Sequence, residues 1–151
     1  MDQKTAADTA ALQRVWARVQ RREEAPPLPA AAWDADAFLR EQLEESGKRL
    51  ALCRGAGALQ EVEAICRRQY RRIAARLYLR TGACPAPVPR QSRGRLPERC
   101  RLLYLSFRRS QQAALSAPEE AGDLGALLEQ LGRSCEEGME RAERILERSF
   151  S

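Results

Sequence analysis

The chain has 151 residues, enough for one domain with one sizeable core. It holds no histidine, which excludes Ser-His-Asp triads, HExxH zinc sites and His-ligated di-iron centres. Twenty-five alanines and nineteen leucines stand against only ten Val, Ile and Thr residues, so the composition is that of an all-α protein.

The formal charge of +5 is unevenly spread. Residues 64–109 hold thirteen arginines and one acid, Glu98, whereas residues 1–63 sum to −2 and residues 110–151 to −5. A basic middle between acidic ends is either a nucleic-acid footprint or a block neutralised by its own neighbours. Cysteines at 53, 66, 84, 100 and 135 form no CxxC and no zinc-type spacing. No apolar run approaches the ~20 residues of a membrane span, and Met-Asp-Gln-Lys-Thr lacks a signal-peptide core. A reduced, cytoplasmic protein away from membranes is expected.

Residues 6–22 read as a helix opened by Thr5 and Asp8, with Leu12, Val15, Trp16 and Val19 on one face. Ala25-Pro-Pro-Leu-Pro-Ala then breaks it, so residues 1–32 form an N-terminal helix and Pro-rich linker ahead of a domain over 33–151. A second helix is expected over 35–54, capped by Asp34 and ended by Gly55 and Gly57. A third follows at once over 59–80 and stops at Thr81-Gly82, which makes the two antiparallel neighbours. Residues 83–96 carry three prolines and a glycine, which exclude helix. Extended at ~3.3 Å per residue, they reach along a whole helix. Pro97 opens a fourth helix over 97–115, and Asp123 caps a fifth that runs to Arg148.

Two helical hairpins, 35–80 and 97–148, are thus joined by one long connection. Such a crossover separates ferritin-like four-helix bundles from the simple up-down kind. In helix order, lengths and crossover, with Phe38-Leu39-Arg40-Glu41-Gln42-Leu43, Ile73 to Tyr78 and Leu127 to Leu146 as local carriers, residues 33–148 resemble the ferritin-like superfamily. They are most similar to small bacterial rubrerythrin-type proteins. The fold expected is an all-α antiparallel four-helix bundle with one long crossover, preceded by an N-terminal helix.

Apolar seams can be read without the family. They run through Leu59, Val62, Cys66, Gln69, Ile73 and Leu77, and through Leu124, Leu128, Leu131, Cys135, Gly138, Ala142 and Ile145. The second helix offers Leu39, Gln42 or Leu43, Ser46, Leu50 and Cys53, and the fourth Cys100, Leu103, Phe107 and Ala114. The resemblance implies di-iron ligands from one Glu on each of two helices and a Glu-x-x-His on each of the other two. Here those positions are Gln42, Cys66, Gln69, Leu103 or Tyr104, Cys135 and Gly138. Even a shifted register that turns Glu41 inward supplies one carboxylate, not four ligands. A centre that has lost its metal chemistry is expected, with no cofactor and no catalytic residue.

Cys66 and Cys135 read as small core fillers, or as a facing thiol pair able to form a disulfide or hold a soft metal. Gln42 and Gln69 read as a hydrogen-bonded polar pair. Arg68, Arg72, Arg76 and Arg80 make a stripe at steps of four, either a solvated face paired with acids of the fifth helix or an anion-binding surface. Arg90, Arg93 and Arg95 extend that candidate strip. The function expected is structural or partner-binding, as a homodimer with a possible further protein partner. The alternatives are polyanion binding and residual thiol-based redox or metal chemistry, with nucleic acid ranked below the protein partner.

Overall fold

Asp34 begins the bundle. Its backbone is extended (φ −94°, ψ 105°), and its Oδ1 accepts from the amides of Asp36 at 3.0 Å and Ala37 at 3.1 Å. Two of the orphan donors at a helix start are thereby satisfied. The computed structural model describes Arg14 and residues 33–85, 87–90, 94–119 and 121–151. Apart from Arg14, the expected helix over 6–22, its linker, Trp16 and Arg93 lie outside the described residues.

Four helices follow, with no strand among the described residues: α1 (Ala35–Cys53), α2 (Gln60–Thr81), α3 (Leu96–Leu115) and α4 (Gly125–Ser149). Single 3-10 turns, Gly57–Leu59 and Gly122–Leu124, lead into α2 and α4. Gly82 ends α2 at φ 71°, the left-handed conformation that a Cβ resists, and its amide donates to the Tyr78 carbonyl. The expected Asp123 cap is not formed. Asp123 sits inside the second 3-10 turn, and its carboxylate is held by Arg76 at 3.2 Å and Arg80 at 3.4 Å. Ion pairing with α2 has won over local capping, and α4 starts at Gly125, one residue later than an Asp123 cap predicts.

Each helix touches two neighbours, and the pairs are read from their contacts. Across α1 and α2, Asp36 meets Arg80 at 2.6 Å and Arg49 meets Gln69 at 3.1 Å. Across α2 and α4, Glu61 meets Arg141 and Arg72 donates to Gln130 at 2.8 Å. Across α1 and α3, Glu45 lies 3.5 Å from Arg109, while Arg99 donates to the Arg54 carbonyl at 3.1 Å. Across α3 and α4, the Phe107 ring abuts Gly138. In each of the first three pairs, residues early in one helix meet residues late in the other, so these neighbours run antiparallel.

The seams bury as their spacing predicts, with one half-exception: Ile145 is only partly covered. In α1 the inward residue is Gln42 rather than Leu43, and in α3 it is Leu103 rather than Tyr104. Leu39, Leu59, Ile73, Leu103, Phe107 and Leu128 are buried apolar side chains of this core, which also encloses buried polar ones.

Candidate functional site

About three-quarters of the way along α1, Arg49 has no exposed surface at all. Its Nη1 donates to Ser110 Oγ at 2.8 Å, Ser106 Oγ at 3.0 Å and the Ser106 carbonyl at 3.4 Å. Its Nη2 donates to Gln69 Oε1 at 3.1 Å, and the guanidinium carbon sits 4.9 Å from the centre of the Phe107 ring. Gln69 passes the network on, since its Nε2 donates to Ser134 Oγ at 2.8 Å and Cys135 Sγ at 3.4 Å. All four helices therefore contribute to one buried polar layer.

A buried guanidinium needs its donors satisfied, because desolvating an unpaired charge costs several kcal/mol. Here the direct acceptors are neutral, helped by the quadrupole of Phe107. The nearest carboxylate acts at one remove: Glu45 Oε2 accepts from Ser106 Oγ at 3.0 Å. Two buried atoms, Arg49 Nε and Gln42 Oε1, make no hydrogen bond to the described residues. The expected Gln42–Gln69 pair is not formed, because both ends of the Gln69 amide are taken by Arg49 and α4.

The six positions that the resemblance marks as ligands all point inward: Gln42, Cys66, Gln69, Leu103, Cys135 and Gly138. None of the six is a carboxylate, and Glu41 is exposed. A Cβ built on Gly138 would clash with three atoms of the Phe107 ring, so that ring leaves no room for a side chain there. Among the described residues no three His, Cys, Asp or Glu side chains are grouped to hold a metal ion. A di-iron pair does not fit a layer whose centre is already a cation with its donors turned outward.

Sequence reasoning missed Arg49, Ser106 and Ser110. A signal was present: Gln42, Ser46 and Arg49 recur at steps of four and three on the α1 seam, and Ser106 and Ser110 share a face of α3. Arg99 was missed too; it is buried and donates to the Gly94 carbonyl at 3.1 Å as well as to Arg54, closing the end of α1.

The thiols have their own arrangement. Cys53, Cys66, Cys100 and Cys135 are buried and Cys84 is exposed; all five are free thiols. The Cys53 thiol is raised by its hydrogen bond with Cys66 and then by burial, and burial alone raises Cys100. Burial pushes Cys135 up to about 11, against the opposing field of Arg49 and the Gln69 hydrogen bond. Below the ordinary value of 9.0 these thiols are protonated in both folded and unfolded chains, and their contribution is complete. As pH rises from 9.0 toward 11 the unfolded chain loses its protons first, so stability falls. For Cys135 alone the loss is roughly 2–3 kcal/mol. The urea midpoint is expected to drop steeply between pH 8.5 and 10.5 (roughly the range of thiol titration), and less so in Cys135→Ala relative to its own neutral-pH value. At neutral pH a thiol reagent is expected to label Cys84 rapidly and the other four only on unfolding.

The arginine stripe divides in two. Arg76 and Arg80 are engaged by Asp123 and Asp36, whereas Arg68 and Arg72 line a cavity with residues of α4. Arg90 and Arg95 are exposed. The cross-helix pairs neutralise part of the basic block, though each exposed pair contributes only ~0–1 kcal/mol.

Comparison with known proteins adds no name to this geometry. The chain matches no protein-family model, and no curated protein or solved structure is significantly similar to it. No helix among the described residues is long and apolar enough to cross a membrane.

Proposed function

We propose that this chain is a bundle of ferritin-like connectivity in which a guanidinium network stands where relatives of that fold would hold metal, and that its role is structural or partner-binding. The connectivity is supported by where α2 and α3 meet α1. Arg80, at the end of α2, pairs with Asp36 at the start of α1, while Arg99, at the start of α3, bonds the carbonyls that end α1. The connection between them passes the middle of α1, where Pro89 Cδ lies 3.7 Å from a Cβ built on Gly47. An end-to-end crossing of that kind is the feature that distinguishes ferritin-like bundles.

The observation that carries the loss of oxidase chemistry is Arg49, completely buried and bonded to Gln69 at the ligand level. Carboxylate and imidazole ligands suit iron or manganese; glutamine, serine and a guanidinium do not. Protein purified from iron- and manganese-replete cells is expected to carry far less than one metal ion per chain. Near-stoichiometric iron or manganese overturns the reading.

The partner this reading favours is a second copy. Between the first half of α3 and the end of α4 lies an apolar groove of about 520 Å³, lined by Tyr104, Leu105, Ala142, Leu146 and Phe150. Phe150 is 76 % exposed. Arg101 and Glu143 border the same groove, so a two-fold apposition brings unlike charges together. Sedimentation equilibrium is expected to show a dimer that Phe150→Glu shifts toward monomer; a monomeric wild-type chain at high concentration refutes it.

A further inference from the structure

A second cavity, of about 200 Å³, opens between α2 and α4. Arg68 and Arg72 border it from α2 and Arg133 from α4, while Gln69 and Ser134 lie at its base. We infer that this cavity binds a small tetrahedral oxyanion, phosphate or a compact phosphate monoester, on the three guanidinium groups of Arg68, Arg72 and Arg133.

Four observations carry the inference. First, charge: Glu137 is the one acid bordering the cavity, and Arg141 engages it at 3.2 Å. Arg133 meets Glu129 at 2.8 Å, and Arg72 donates to a neutral amide, Gln130, at 2.8 Å. The balance facing the cavity stays positive. Second, the base is built: Gln69 is only 4 % exposed and is fixed by hydrogen bonds to Arg49 and Ser134. Third, Arg49 lies directly behind Gln69, with no carboxylate in contact, so its field adds to that of the rim. Desolvation keeps that field strong. Fourth, size: drug-sized ligands occupy about 300–1,000 Å³, so this smaller space suits a compact ion. Planar guanidinium forks match the paired oxygens of phosphate better than lysine ammoniums do. The site stands apart from the question of connectivity, since it needs only the α2–α4 face.

The test is calorimetric titration of the full chain with inorganic phosphate and, separately, with methyl phosphate, at constant ionic strength. Saturable one-to-one binding is expected, weakened about tenfold or more in Arg68→Ala/Arg72→Ala. Arg144→Ala, on an exposed arginine that pairs with Glu140, is expected to leave binding unchanged. Because Arg68 and Arg72 are exposed, circular dichroism is expected to show the double variant fully folded. Tighter binding of methyl phosphate identifies a monoester as the source, and equal or weaker binding the free ion. No saturable binding of either probe, or equal affinity in the double variant, overturns the inference. Duplex DNA binding more tightly than both probes and lost in the same variant also overturns it, since the surface then serves a polyanion.

Discussion

Replacing Arg49 by alanine is expected to lower the unfolding free energy by about 3–5 kcal/mol, the scale for removing one member of a buried charged network and leaving a cavity. The loss has two parts: the space vacated beside Phe107 and Leu-rich neighbours, and the acceptors left in the core. Replacing it by methionine separates them. Methionine fills most of the same volume, and the Ser106 and Ser110 hydroxyls can turn to carbonyls of their own helix, as Ser134 does to Gln130 at 2.9 Å. Only the Gln69 carbonyl then stays unbonded, at about 1–3 kcal/mol, while the burial cost of a charge disappears. Arg49→Met is therefore expected within about 1 kcal/mol of wild type. Urea unfolding with an unchanged m-value reads both numbers. If methionine destabilises as much as alanine, the network and not the volume dominates.

The second large effect is at Gly138. Alanine in a helix interior ordinarily stabilises by ~1 kcal/mol over glycine. At Gly138 the added Cβ would clash with Phe107 Cζ, and that ring is backed by the Arg49 guanidinium. The sign reverses, and Gly138→Ala is expected to cost about 1–3 kcal/mol through overpacking. Gly132 on the same helix provides the contrast, because a Cβ there has nothing within 4 Å. Gly132→Ala is expected to be neutral or stabilising. Combining Gly138→Ala with Phe107→Leu should recover part of the loss, and additive losses in that cycle would show that the ring is not the obstacle.

The helices and most of their inward faces were legible because apolar spacing, Asp34 and Gly82 all act locally. The inward facing of Gln42, Cys66, Gln69, Leu103, Cys135 and Gly138 was legible for the same reason: each lies on a seam that period 3.6 exposes to view. What the pattern concealed is the identity of the group at the centre. Arginine is almost never fully buried, so Arg49 reads as surface until Ser106, Ser110 and Gln69 are brought round it from two other helices. Those partners lie 20 to 61 residues away in sequence. Asp123 was misread for a related reason, since capping is a local preference and its pairing with Arg76 is not. Sequence periodicity finds faces; it does not find which polar groups share one.

The bonds from Arg49 to Ser106 and Ser110 also bear on how the two hairpins find each other. Apolar seams of leucine and alanine can slide past one another by a turn, about 5.4 Å, with little change in buried area. A slip of that size would set Leu103 and Phe107, or Ser110 and Ala114, opposite the guanidinium. In either case the charge loses acceptors that only the native offset provides. The polar layer thus discriminates between alignments that hydrophobic burial alone would leave nearly equal in energy, much as a single buried asparagine sets the stagger of a coiled coil. Because its bonds span both hairpins, that discrimination acts only at docking, and it ties the two halves into one cooperative unit.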